Sequence, residues 1–177
     1  MRGKLIGSFV VVNKNPISLR YVQKLIGEVR DNKVFFNLYE AKYLIEKGVL
    51  SVFENDKELT PEEFDEKAKR IDEKFLEKYL VYKDLKERGY YVGAGLKFGS
   101  DFRVYEKGFV PRKKRTEWGE PGHSKWVVWV FRQGERITTE KLASVVRTAH
   151  STRKKVLLAI VDIEGDVTYY ELDWKRM

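Results

Sequence analysis

Apolar positions along the chain fall into short runs separated by turn residues, and the period of each run predicts its element. Leu5 to Val12 is an apolar run closed by Lys14-Asn-Pro16, which predicts one short strand and a turn. Val29 to Phe36 reads as a hairpin with Asp31-Asn32 at its tip. Asn37 is placed to cap a helix and Glu40 to reach back to it, with Ala41, Leu44 and Ile45 facing inward and Gly48 ending the helix. Val49 to Phe53 predicts a further strand. Thr60-Pro-Glu-Glu63 has the form of a capping box with proline at the first helical position. Helical spacing then runs through Phe64, Ala68, Ile71, Phe75, Tyr79, Tyr82 and Leu85 to Gly89, as one helix or two.

The pattern changes in the second half. Tyr90 to Val92 starts a strand that Gly93-Ala-Gly95 turns, and Phe102 to Tyr105 is another. Residues 109–122 are polar, with no apolar period. Trp126 to Phe131 is wholly apolar and predicts a buried strand. Leu142, Val145, Val146 and Ala149 recur at helical spacing and mark the core-facing stripe of a helix from about Thr139 to His150. Val156 to Val161 is a second buried strand. Gly165 lies in the turn Asp162 to Asp166, and Val167 to Trp174 ends the pattern as a strand exposed along one edge. Strands flanking one central helix predict a mixed α/β sheet. The fold expected is therefore α/β: a small α+β domain over residues 1–74 and a mixed α/β domain over 75–177.

Composition narrows the function classes. The chain has 177 residues, 42% of them hydrophobic and 14% aromatic, enough for a folded core. It has no cysteine and two histidines, His123 and His150, so a disulfide framework and a thiolate metal site are excluded. No apolar run reaches membrane-spanning length and Met1 to Gly7 lacks a signal-peptide core, so a cytoplasmic protein without a membrane partner is expected. The net charge is +8. Residues 1–74 hold 14 Lys+Arg against 13 Asp+Glu, whereas residues 103–155 hold 14 against 5. A basic surface confined to one half points to a polyanionic partner.

The densest basic segment, His150 to Lys155, lies where the helix meets the Val156 strand. Compensation of the helix dipole is one reading, contributing a few tenths to about 1 kcal/mol. An anion site, above all for a phosphate, is the other. Three side chains near strand ends bear on the choice. Tyr105, His123 and Lys154 each have an ordinary reading as a core-edge tyrosine, a loop histidine and a solvated lysine. Together they supply a proton acceptor or donor, a group titrating near neutrality and a fixed cation. Cleavage of RNA by its own 2′-hydroxyl requires those roles and no cofactor.

Four stretches carry a family resemblance: Tyr79-Leu-Val-Tyr-Lys-Asp-Leu-Lys-Glu-Arg-Gly-Tyr90, Gly95-Leu-Lys-Phe-Gly-Ser-Asp-Phe-Arg-Val-Tyr-Glu-Lys-Gly108, His123-Ser124, and Arg147 through Asp162. In this order they resemble the archaeal tRNA-splicing endonucleases across residues 75–177, and Asn37 to Gly48 resembles that family's N-terminal domain. The resemblance implies a restriction-endonuclease-like mixed α/β nuclease domain that cuts precursor tRNA at bulge–helix–bulge sites. It places the family's catalytic tyrosine on Tyr105, its histidine on His123 and its lysine on Lys154 rather than Lys155. It further implies Tyr105 as base on the 2′-hydroxyl, His123 as acid to the 5′ oxygen and Lys154 as stabiliser of the phosphorane. A free tyrosine ionises near pH 10, so a base at this position needs cations beside it, and Lys154 with the Arg153 region is the expected source. His150 is read as a helix-terminus residue. No metal or other cofactor is implied.

The spacing from Tyr105 to His123 exceeds the family pattern, and residues 109–122 read as an insertion. Arg112, Lys113, Lys114, Arg115 and Trp118 give it the makeup of an RNA-contacting loop, a solvated basic loop being the alternative. Arg147 and Arg153 are further RNA-binding candidates. Asp162, Glu164 and Asp166 form an acidic turn on a basic protein, and with Tyr169 and Tyr170 on the last strand they are the expected oligomer contacts of a homotetramer. A heterotetramer is the alternative assembly. Two rival functions stand beside the nuclease: a metal-dependent DNase, for which Asp101 and Asp173-Trp-Lys175 loosely supply acidic residues, and a noncatalytic RNA-binding subunit.

Overall fold

The computed structural model describes residues 1–95, 99–108 and 123–175. The chain divides into two compact units, Met1–Tyr79 and Leu80–Met177, with the division inside a helix.

The first unit is a six-stranded sheet in the order β3-β4-β2-β1-β5-β6. Its strands are β1 Arg2–Ile6, β2 Phe9–Asn13, β3 Glu28–Arg30, β4 Lys33–Asn37, β5 Ser51–Glu54 and β6 Lys57–Glu58. The expected single strand over Leu5 to Val12 is instead the antiparallel pair β1–β2, because Gly7 takes φ +57° and turns the chain in the middle of the apolar run. The expected turn at Lys14 to Pro16 is a helix start. Asn15 caps α1, Pro16–Val22, with Pro16 at the first position. The hairpin tip at Asp31 is as predicted, and so is α2, Leu38–Glu46, whose Asn37–Glu40 capping box is complete. Thr60 and Glu63 likewise cap α3, Pro61–Ile71. The long helical stretch is two helices, because the chain turns extended at Asp72 before α4, Phe75–Glu87. One face of the sheet, with Leu5, Val10, Val12, Val34, Phe36 and Val52, is buried with Ala41, Leu44, Phe64, Ala68 and Phe75 of the helices.

The second unit is a five-stranded mixed sheet in the order β11-β10-β9-β8-β7, as the apolar pattern of this half predicts. Its strands are β7 Tyr91–Ala94, β8 Phe102–Tyr105, β9 Trp126–Arg132, β10 Lys155–Val161 and β11 Val167–Leu172. Gly93 and Ala94 belong to β7, which ends at Ala94 and not at Val92. β9 and β10 are parallel and are joined through α5, Thr139–Ser151; the other neighbours are antiparallel. Val145 and Ala149 of α5 are buried with Val127, Trp129, Phe131, Val156 and Leu158, while Leu142 of the predicted stripe is 36% exposed. Successive strand residues face opposite ways, so Phe102 and Val104 lie on the other face of the sheet, where the Tyr82 ring of α4 meets Phe102 at 5.9 Å. The last strand is an edge strand, as its sequence suggests.

Candidate active site

The site forms where β8 ends and β9 and β10 begin. Val104 of β8 and Lys155 of β10 both pair with Trp126 of β9 from opposite sides. One residue further toward the sheet edge, the backbone of Lys125 bonds both neighbours: its N–H donates to Val104 at 2.9 Å, and its carbonyl accepts from Lys155 at 2.9 Å. The residues next in line are Tyr105 at the end of β8 and Lys154 just ahead of β10. Lys154 Nζ donates to the carbonyl of Ser124 at 3.1 Å, and His123 is the residue before Ser124. Tyr105, His123 and Lys154, separated by up to 49 positions in sequence, thus come from three adjacent strand ends. Tyr105 is buried, Ser124 is buried, Lys154 is half-buried and His123 is exposed.

The position of Lys154 follows from how α5 stops. Lys154 N–H donates back to the carbonyl of Ala149 at 2.8 Å and Arg153 N–H to His150 at 3.0 Å, while Arg153 takes φ +55°. This is a Schellman closure with an arginine where glycine is usual, and it delivers the chain directly into β10. The Thr152 hydroxyl donates to the carbonyls of Thr148 and Ala149, both at 3.0 Å, and satisfies the last turn. A core-facing Ala149 at the helix end therefore sets where the lysine emerges.

Electrostatics separates the two neighbouring lysines. Burial first, and the Arg103 guanidinium second, hold the Lys154 ammonium below its ordinary value. Lys155 is raised by its hydrogen bond to Glu171, at 2.5 Å. Glu171 also accepts from Trp126 Nε1 at 2.7 Å. Lys125 is in turn paired with Glu106. Of the expected cations, Lys154 is half-buried beside Ser124 and Arg153 is exposed, and the charge bearing on Lys154 is Arg103. Arg103 shares the face of Tyr105 by strand alternation, its Cζ lying 6.0 Å from the Tyr105 ring centroid. That i, i+2 relation within Phe102-Arg-Val-Tyr105 is the signal the sequence offers for it.

The remaining candidates are distributed as follows. Arg147 is exposed on α5, and His150 is exposed with its ring edge-on to Trp174 at 4.8 Å, consistent with a helix-terminus role. Arg112, Lys113, Lys114, Arg115 and Trp118 lie outside the described residues. Asp162 Oδ1 accepts from the backbone N–H of Glu164 and of Asp166, each at 2.9 Å, so its carboxylate organises its own turn. Glu164 and Asp166 are exposed, and Ile163 between them is 97% exposed. Tyr170 faces out, but Tyr169 points inward. Burial and a 2.7 Å hydrogen bond from its hydroxyl to Asp84 push the Tyr169 phenol far up. Asp101, invoked for the DNase alternative, accepts from the backbone of Val130 at 2.8 Å, whereas Asp173 follows Leu172, which pairs with Val156 near the start of β10. Among the described residues no three His, Asp or Glu side chains gather as a metal site, and no helix is long and apolar enough to cross a membrane.

A two-unit α/β chain with a tyrosine, a histidine and a lysine at one sheet end, set in a basic half, has the form of a protein that acts on a polyanion. Residues 75–169 match the model of the tRNA intron endonuclease catalytic C-terminal domain, and residues 1–64 match that of the tRNA intron endonuclease N-terminal domain. Similar proteins include the tRNA-splicing endonuclease of Pyrococcus abyssi, 45% identical over 89% of this chain and 86% of that protein. That of Nanoarchaeum equitans is 43% identical over 86% of this chain and 99% of its own. That of Methanothermobacter thermautotrophicus is 37% identical over 99% and 98% respectively. The chain belongs to the tRNA intron endonuclease family.

Proposed function

We propose that this chain is a tRNA-splicing endonuclease that cuts precursor tRNA at bulge–helix–bulge sites by 2′-hydroxyl attack, with residues 75–177 as its catalytic domain and residues 1–74 as a separate N-terminal domain. The observation that carries this reading is the row of strand ends holding Tyr105, His123-Ser124 and Lys154. Tyr105 takes the proton of the 2′-hydroxyl as its oxygen bonds to phosphorus. His123 gives a proton to the 5′ oxygen as the phosphorus–oxygen bond breaks. Lys154 holds the charge on the non-bridging oxygens of the phosphorane. One RNA end then carries a 2′,3′-cyclic phosphate and the other a 5′-hydroxyl, and the phosphorus needs no external nucleophile.

The lowered affinity of Lys154 for its proton supports this assignment over Lys155, which is already neutralised by Glu171. The test is incubation of the pure chain with a bulge–helix–bulge RNA in EDTA, with both product ends mapped. Cyclic phosphate and 5′-hydroxyl ends without added metal are expected. Cleavage silenced by EDTA and restored by magnesium would move the assignment to metal-dependent hydrolysis.

The RNA-contacting residues of this reading are Arg147 and Arg153 together with Arg112, Lys113, Lys114, Arg115 and Trp118. Arg147, exposed one turn before His150, offers a guanidinium plane for stacking on a bulge base. The assembly is a homotetramer: two copies pair along the β11 edge, where Tyr170 is 54% exposed, and the turn with Glu164 and Asp166 docks into a basic cleft of another copy. Tyr169, turned onto Asp84, supports that edge from within the chain. Neutralising Glu164 and Asp166 should leave dimers in light scattering, and an unchanged tetramer or a wild-type monomer would contradict the scheme.

A further inference from the structure

At this sheet end Arg103 has a buried side-chain donor that no described residue answers. An arginine carries five N–H donors and is always ionised. Arg103 Nε is buried without a hydrogen-bond partner, and Arg103 makes no ion pair with any described residue. Its neighbours on the same sheet end are treated differently: Lys125 is paired with Glu106, and Lys155 with Glu171. Burial of a charged donor without a partner is costly, so such a group calls for an explanation.

The backbone is shaped to keep the side chain there. Arg103 pairs with Gly93 of β7, and a Cβ on residue 93 would come within 3.0 Å of Arg103 Nε. Glycine at this position therefore gives the arginine room to lie flat across the neighbouring strand. From there its charge acts on Lys154, and its Cζ stands 6.0 Å from the Tyr105 ring. Two like charges held close enough to affect one another, beside a buried tyrosine, repel each other. An anion bound between them would satisfy the arginine donors and screen the repulsion. In the reading given above, the anion that fits this position is the scissile phosphodiester, next to the ribose 2′-hydroxyl that Tyr105 deprotonates.

We propose that Arg103 is a further catalytic residue, which donates hydrogen bonds to a non-bridging oxygen of the scissile phosphate and shares with Lys154 the charge that develops there. The inference rests on the reading of Tyr105 and Lys154 given above. Arg103 forms and breaks no covalent bond in the reaction. It binds the reacting phosphate more strongly as the phosphorane gains charge, which is how preorganised donors accelerate phosphoryl chemistry.

The experiment measures single-turnover cleavage of a bulge–helix–bulge RNA by the full chain, and binding of the same RNA with 2′-deoxyribose at the scissile positions. Arg103→Gln is expected to slow cleavage about 10²- to 10³-fold, the loss seen when one such donor is removed, and to change the dissociation constant by less than about tenfold. Arg103→Lys should retain more activity than Arg103→Gln, because the charge remains. Guanidinium ion added to Arg103→Ala should restore at least about tenfold of the lost rate and should do nothing for Lys154→Ala; a prop that merely packs against β7 would not respond in this way. Gly93→Val, which crowds the guanidinium, should slow the wild type but add little to Arg103→Gln. Cleavage by Arg103→Gln within about threefold of wild type would overturn the proposal. So would a loss that guanidinium does not rescue, including one that accompanies a lowered melting temperature. Tyr105→Phe provides the separate control: if it cleaves at the wild-type rate, the reading of the base fails whatever Arg103 does, and if it is inactive the Arg103 results stand on their own.

Discussion

The two units differ in how their least exposed cations are answered. In Met1–Tyr79 three partly buried lysines are matched within the fold: Lys42 with Asp65 at 2.6 Å, Lys67 with Glu54 at 2.6 Å and Lys78 with Asp72 at 2.9 Å. All three of the unit's complete helices begin with a reciprocal capping box, so their first backbone donors are also answered from within. At the start of β9 and β10 in the other unit, Arg103 has no acidic partner among the described residues and Lys154 is pushed toward its neutral form. A region whose polar groups are satisfied locally stabilises itself. A region that leaves a buried arginine donor unanswered among the described residues is organised for a ligand.

Catalytic substitutions should give the largest contrast. His123→Ala is expected to slow single-turnover cleavage by about two to four orders of magnitude while RNA binding survives, the range for loss of a general acid. Lys154→Ala should be comparably damaging and Lys155→Ala mild, because Glu171 already engages Lys155. The reverse ranking of the two lysines would shift the register of the site by one residue.

Substitution in the first unit should have the opposite signature. Lys42 and Asp65 retain only 13% and 23% of their side-chain exposure, so Lys42→Ala leaves a half-buried carboxylate without its partner. A loss of about 1–3 kcal/mol is expected in denaturant unfolding, with the single-turnover rate of folded protein unchanged. A rate defect in folded Lys42→Ala would break the division of labour between the units.

Arg153 allows a smaller and more specific test. It occupies the left-handed position of the α5 closure, which costs a non-glycine residue about 1 kcal/mol. Arg153→Gly should therefore raise stability by about 0.5–1 kcal/mol. If the charge also contacts RNA, the same variant binds bulged RNA less tightly at low salt. Unchanged binding would leave Arg153 with its conformational role alone.

The smallest effect concerns acid. Burial raises the Asp72 carboxyl, but hydrogen bonds from Lys78 and Tyr39 together overcome it and hold the group below its ordinary value of 3.8. Its folded value is thus the lower one, so its contribution to stability is complete above the unfolded value and is lost as pH falls through the folded one. Melting temperature measured from pH 6 down to pH 2 should fall less steeply in Asp72→Asn than in wild type. Identical slopes would show that the carboxylate is not stabilised by these bonds.

Much of the fold was legible because its signals are local. Asn37 with Glu40, and Thr60 with Glu63, announce their helices in four residues each, and Val156 to Val161 needs only its own apolar run to be read as a strand. The misreadings arose where one local signal hid another. Gly7 sits inside an apolar run, so two strands read as one, and Asn15-Pro16 serves a turn and a helix start equally well. Tyr105, His123 and Lys154 were singled out by chemical type and family motif, but what gathers them is the pairing of β8, β9 and β10, which no short pattern states. Arg103 was hidden for the same reason. Its significance depends on the lack of a carboxylate partner among the described residues and on Gly93 in the next strand, and only the i, i+2 step to Tyr105 marks it in the sequence.

The central claim is that the RNA supplies its own nucleophile and that Tyr105 prepares it. It is tested most directly with a bulge–helix–bulge RNA carrying 2′-deoxyribose at one scissile position and ribose at the other, presented to wild type and to Tyr105→Phe in EDTA. The account predicts that wild type binds this RNA normally, cuts only at the ribose position and leaves a 2′,3′-cyclic phosphate there, while Tyr105→Phe binds and cuts at neither. Cleavage at the deoxyribose position by the wild type would contradict it.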